Sequence, residues 1–205
     1  MARTTTRRPR ARLTDTARRR EILSIATEVF AEKGIMATTV RDIGDRAGIL
    51  SGSLYNHVSS KEELIAEILA PVVRSQVEVF DAIAAETDDP EQIVRRLITA
   101  AVAQTAANPH VARILRNDTH HFAELSGLDE VVRQQEAVLS RWMSAVEAGI
   151  AAGAFRADAD PAIVTWSIAD VVLGAYRFIK PVGRMPADQV AEQLAALILA
   201  GLDSR

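Results

Sequence analysis

Within eleven residues, from Ser51 to Lys61, the chain places two serines around a glycine, then Tyr55, Asn56, His57 and a lysine. These side chains make a poor catalytic set but a good match to a polyanion. Ser51, Gly52 and Ser53 are small, so their hydroxyls and backbone amides can approach base edges in a major groove without steric conflict. Tyr55, His57 and Lys61 bring a hydroxyl, an imidazole and an ammonium, which suit phosphate oxygens and would position a duplex rather than read it. Taken singly, His57 is equally a packed or solvated side chain, and Tyr55 equally the anchor of a small core.

Catalytic alternatives have less behind them. The chain has no cysteine, which excludes a thiol nucleophile, a zinc finger, an iron–sulfur cluster and a disulfide framework. It also lacks a glycine-rich phosphate loop, a nucleophile elbow and paired Glu-x-x-His motifs. Asp118 and His121 have helical i, i+3 spacing, but two ligands do not make a metal site, and His120 should point about 100° away from His121. The expectation is therefore no enzyme, no cofactor and no metal.

The elements that must carry the Ser51–Lys61 segment are legible as helices. Thr14, Asp15 or Thr16 can cap a first helix whose Ile22, Ile25, Ala26, Val29 and Phe30 recur at i, i+3, i+4, i+7 and i+8, and Gly34 ends it. Thr39 to Gly48 predicts a short helix with a threonine cap and a glycine exit, and residues 51–58 predict a second. Two short helices around a tight glycine turn form a helix-turn-helix. Ser60 and Glu63 have capping-box spacing for a longer helix reaching about residue 84, with a kink expected near 67–71 at Pro71. Asp89-Pro90, Asn108-Pro109 and Asp160-Pro161 each predict a cap followed by proline in the first turn. A long amphipathic helix over 128–152 ends at Gly153, and Pro186 opens the last one. No strand alternation or repeat is present, so the fold class is all-α, with about nine helices. The expected division is a flexible basic arm at 1–13, a helix-turn-helix domain at 14–60 and a helical body at 61–205.

Charge sorts along the same division. Residues 1–61 carry 12 Lys and Arg against 6 Asp and Glu, and the remainder carries 12 against 21. A basic end and an acidic body suggest that the first meets a polyanion and the second stays clear of it. Arg3, Arg7, Arg8, Arg10 and Arg12 are either solvated charge or phosphate and minor-groove contacts. With 48% hydrophobic and 25% charged residues and a mean hydropathy of +0.05, the chain fits neither a wholly disordered nor a membrane protein. Its longest apolar run, Leu194 to Leu202, is far shorter than the ~20 residues of a membrane span, and no apolar segment follows the N-terminal arginines. A cytoplasmic location is expected.

The segment from Ile35 to Glu63 resembles the DNA-binding domain of the TetR family of bacterial transcriptional regulators. The resemblance rests on Thr39, Val40-Arg41-Asp42-Ile43, Ala47-Gly48, Leu54-Tyr55, His57 and Ser60-Lys61-Glu62-Glu63-Leu64. It implies DNA contacts at Thr39, Arg41, Ser53, Tyr55, His57 and Lys61; Ser51, Gly52 and Asn56 lie in the same segment and are further candidates. Gly44, where the family usually has alanine, costs about 1 kcal/mol of helix propensity, and Asn56 and Val58 replace commoner aromatic residues.

The resemblance also implies a repressor that binds a palindromic operator as a homodimer and is released by a small effector. Its dimer seam is expected on the last two long helices. There Ile163, Val164, Trp166, Ile168, Val171, Val172 and Leu173 make residues 161–179 apolar almost all round, while Val190, Leu194, Leu197, Ile198 and Gly201 line one side of the last helix. On helices that surround the cavity in this family stand Phe80, Arg113, His121, Phe122, Trp142, Trp166, Tyr176 and Arg177, which suits an amphipathic, carboxylated or thioester-bearing effector. The Ile49–Tyr55 segment is especially similar to actinobacterial regulators of steroid catabolism, which answer to coenzyme A thioesters, so an acyl-CoA is a candidate. Ala169 and Leu173 depart from the arginine and tryptophan that such regulators offer their ligand; Arg177 matches.

Overall fold

Nine α-helices in chain order build the molecule, described for residues 15–203 in a computed structural model, with the side chains of Asp15, Ser51 and Ser53 outside the description. The basic arm at 1–13 also lies outside the described residues. The helices are α1 (Asp15–Lys33), α2 (Val40–Ala47), α3 (Ser51–Leu54), α4 (Lys61–Glu86), α5 (Pro90–Ala107), α6 (Pro109–Asp118), α7 (Asp129–Ala151), α8 (Pro161–Gly174) and α9 (Ala187–Leu202). Short 3-10 turns follow α6 (Thr119–Glu124) and α8 (Ala175–Arg177). Among the described residues there are no strands, only two isolated bridges, and no helix is long and apolar enough to cross a membrane.

Most ends obey local chemistry. Asp89 accepts the amides of Glu91 and Gln92, and Asp160 those of Ala162 and Ile163, satisfying donors that a first helical turn leaves orphaned. Asn108 is different. It makes no cap for α6, and its amide nitrogen instead donates back to the Gln104 carbonyl at the end of α5. Ser60 caps α4 through the Glu63 amide, while the Glu63 carboxylate reaches the amide of Ser59, one residue before the expected box. Helix α4 runs unbroken through Pro71.

One hydrophobic cluster runs from a small head into a larger body. In the head, Ile22, Ala26, Val29 and Phe30 of α1 meet Ile35, Ile43, Leu54 and Val58, all in the core. In the body, α5 is central, packed by α4, α7, α8 and α9 around Val94, Leu97, Ile98, Ala101 and Val102. Each of the valine, leucine and isoleucine side chains contributes about 1.5–3 kcal/mol of hydrophobic stabilisation. Phe80 of α4 meets Trp142 of α7 edge to face, with ring centroids 5.2 Å apart. Phe155, just beyond α7, fills the space over Gly149 and forms a bridge with Asp203, while the Arg156 amide donates to the Leu202 carbonyl.

Candidate nucleic-acid interface and body cavity

The head is held by reciprocal bonds at the start of α2. Thr39 Oγ1 accepts the Asp42 amide at 3.2 Å, and the Asp42 carboxylate accepts the Thr39 amide at 2.8 Å. The Lys33 ammonium, with Thr39 second, holds the Asp42 carboxyl well below the usual carboxylate range. At the other end of α2, Gly48 adopts φ 64°, a left-handed conformation that favours glycine, and the Ile49 amide returns to the Gly44 carbonyl. The chain then turns directly into α3, where Leu54 is buried and Gly52, Tyr55 and Asn56 are exposed.

Helix α3 is shorter than the expected 51–58. It ends at Leu54, whose carbonyl accepts the amides of both His57 and Val58 in a turn. Burial of Leu54 and Val58 on either side of that turn holds it without further helix. Tyr55, 58% exposed, and the exposed Arg41 beside Asp45 lie open to a partner. Thr39 is exposed but engaged in its cap. His57 is half-buried, and its carbonyl accepts from the Arg19 guanidinium. Lys61 is half-buried too, its ammonium donating to the Ile35 carbonyl at 3.1 Å. Ser51 and Ser53 open α3, and their side chains lie outside the description.

Arg19 ties the head to α4, donating to Glu63 at 2.8 Å and to both carboxylate oxygens of Glu67. These bonds raise the Arg19 pKa, Glu67 first, and the Ser59 amide followed by Arg19 lowers that of Glu63. No local pattern announces this junction, because its partners are more than 40 residues apart.

The body holds a mainly apolar cavity of about 140 Å³, between α4, α5, α6, α7 and α8. Its apolar wall includes Val138, Trp142, Trp166 and Leu173, and its polar groups include Gln76, Gln104, Gln135 and Arg116. Arg116 lies 3.9 Å from Asp170, and its Nε is buried without a hydrogen-bond partner. A comparable volume in a dry protein interior accepts benzene.

On the outside of the body, α8 leaves Ile163 (68%), Trp166 (56%) and Val171 exposed, spaced as one helical stripe. Helix α9 contributes less than its sequence suggests. Val190, Ala191, Ala195 and Leu199 are buried, α9 packing chiefly on α5, which leaves Leu197 at 70% exposure beside the exposed Ala196, Ala200 and Gly201.

Comparison with known proteins decides the family. Residues 22–68 match the profile of bacterial regulatory proteins of the tetR family, and residues 87–202 match a tetracyclin repressor-like C-terminal domain. The HTH-type transcriptional repressor KstR2 of Rhodococcus jostii is 36% identical, over 91% of this chain and 92% of that protein. KstR2 of Mycolicibacterium smegmatis is 33% identical over 91% of each. The structure of the ketosteroid transcriptional regulator KstR2 of Mycobacterium tuberculosis superposes with a TM-score of 0.80 at 32% identity, covering 92% of this chain and 96% of that one. The chain belongs to the tetR family. It is a DNA-binding transcriptional regulator and not an enzyme.

Within this tetR-family fold, the residues expected to hold an effector scatter. Trp142 and Trp166 line the cavity. Phe80 and Phe122 are buried in the hydrophobic core, and Phe80 also lines a neighbouring pocket with Val72, Gln76 and Gln104. Arg113, His121, Tyr176 and Arg177 lie outside the cavity wall. His121 lies beside His120 in the 3-10 turn after α6, with ring centroids 3.9 Å apart and ring planes tilted by 45°. Arg177 lies in the turn after α8 and donates to the Gly174 carbonyl. Arg116 and the glutamines escaped sequence reasoning because an inward polar side chain has the same pattern as one on a solvated face.

Proposed function

We propose that this protein is a cytoplasmic repressor that binds a near-palindromic operator as a homodimer and lets go when a small amphipathic effector enters the body cavity. The observation that carries the reading is the α2–Gly48–α3 unit, which presents an exposed tip on a buried Leu54 anchor within a family of DNA-binding regulators. Gly52 and the backbone of residues 51–53 would face base edges, while Arg41, Tyr55, Asn56, His57 and Lys61 would face phosphates. For Lys61 this entails leaving the Ile35 carbonyl, so its phosphate contact would form only on the DNA.

Two-fold pairing through α8 and α9 covers the exposed Ile163, Trp166, Val171 and Leu197 and sets two copies of α3 about one DNA turn apart, at ~34–36 Å. The acidic body keeps the basic head as the face that meets DNA. The cavity suits the apolar end of the effector, with Gln76, Gln104, Gln135 and Arg116 for its polar end. An acyl-CoA would place its acyl group there; 140 Å³ does not hold the whole thioester. We take residues 14–60 as the DNA-binding domain and residues 61–205 as the effector and dimer body.

Selection of bound duplexes from genomic fragments, followed by anisotropy titration at several salt concentrations, tests this. One enriched palindromic sequence whose affinity falls steeply with salt supports the reading. A purified chain that stays monomeric and binds no duplex at low salt refutes it.

A further inference from the structure

Asp118, at 7% exposure, is the one charged side chain buried among the described residues. It ends α6, where the carbonyl end of the helix dipole disfavours an anion, so its position needs support from elsewhere. That support comes from the head. Asp118 Oδ1 accepts the Ile35 amide at 3.1 Å, across 83 residues of sequence. On the other side of the same residue, Lys61 donates to the Ile35 carbonyl at 3.1 Å. Ile35 is thus gripped at both backbone groups, its side chain fully buried. Gly34 turns the chain into this grip with φ 85°, a left-handed conformation that favours glycine. The loop so held runs through Thr38, which bonds back to Gly34 and Ile35, and delivers Thr39, the cap of α2.

Helix α6 also lines the cavity along its length, its last turn included. Val111, Ala112, Leu115 and Arg116 line it, as does Thr119, which receives the amide of Gln135 at 3.3 Å. Asp118 stands two residues on from Arg116, about 200° round the helix, so one turn of α6 shows Arg116 to the cavity and Asp118 to the head.

The geometry points to Asp118 as the positioning residue through which cavity occupancy sets the DNA-reading head. An occupant that shifts the last turn of α6 moves the carboxylate off the Ile35 amide, and the start of α2 loses one of its two anchors. This rests on the reading of the cavity as an effector site and of α2–α3 as the DNA-binding unit.

Both tryptophans of the chain line the cavity, but Trp166 is also exposed on the α8 stripe, so the emission of the buried Trp142, read in a Trp166→Phe background, reports the cavity while a labelled duplex reports the head. Coupling between two sites is reciprocal. With the full chain and a duplex selected from genomic fragments, duplex binding is expected to change tryptophan emission. Asp118→Ala is expected to lose most of that change and to raise the duplex Kd about fivefold or more, the lower end of ordinary site-to-site coupling. Asp118→Asn retains an oxygen acceptor for the Ile35 amide and should restore the emission change, which a role in stability alone would not require.

Equal emission changes in Asp118→Ala and its Trp166→Phe parent would overturn the proposal, as would no change on duplex binding by that parent; both leave DNA binding standing. A natural protein that binds no duplex at all overturns the functional reading instead. If Asp118→Ala does not fold, hydrogen exchange at the Ile35 amide of the natural protein decides. Protection that shifts about fivefold or more between free and duplex-bound states supports the coupling. An amide unprotected in both states, or protected alike, sinks it.

Discussion

Thr39 is exposed, yet its hydroxyl is committed to the Asp42 amide, so its first effect is on the helix it starts. Thr39→Ala is expected to lower unfolding free energy by ~1 kcal/mol in denaturant titration, and Thr39→Ser to recover most of it. Carboxylates at the head junction make a second prediction. The Ser59 amide and Arg19 depress Glu63, and Lys33 and Thr39 depress Asp42, from ordinary values of 4.5 and 3.8. A folded pKa below the unfolded one contributes stability that is fully present above the unfolded value and is lost as pH falls through the folded one. The urea midpoint should therefore hold from neutral pH down to about 5 and fall in more acidic solution, with a shallower fall in Glu63→Gln. Thr39 and Glu63 were legible because caps are local patterns. Arg19, Asp118 and Arg116 were not, because their partners are fixed only by how helices cross.

At the scale of elements, most helix boundaries follow from cap residues, prolines and glycines. The Asn108-Pro109 boundary is where expected, although Asn108 serves the helix before it rather than the one after. Helix α3 stops short where Asn56 favours turn over helix, and Leu54 and Val58 anchor the turn by burial. The cavity was the least legible element. Helical periodicity marks which side chains face inward but not which void they meet, so Phe122 lies in the packed core and Phe80 lines a pocket beside the cavity. Gly149 on α7 gives an element-scale test. A Cβ there would lie 2.1 Å from the Phe155 ring, so Gly149→Ala must displace a buried aromatic. Overpacking of this kind should cost about 1–3 kcal/mol, seen as an earlier denaturant midpoint with folded secondary structure retained.

The whole molecule separates a basic end from an acidic body and leaves an apolar stripe on α8 uncovered. Under the proposed pairing, Ile163→Glu places a charge from each subunit in the apolar seam. Sedimentation should show a shift from dimer to monomer at micromolar protein, and duplex affinity should fall at least tenfold, because one half-site alone holds weakly. A variant that remains dimeric with full affinity would move the seam elsewhere. The overall architecture was legible from periodicity and charge together, whereas the degree to which α9 is consumed by α5 was not, since an apolar helix shows the same stripe whether it meets its own subunit or another.

The bridge between Phe155 and Asp203, with the Arg156 amide on Leu202, makes the exit of α9 a fastening for the exit of α7. A fusion tag or truncation placed at Leu202 would therefore unseat Phe155 from Gly149, more than 50 positions upstream. Expression designs that join another polypeptide on this side should spare Asp203 and begin any spacer after it.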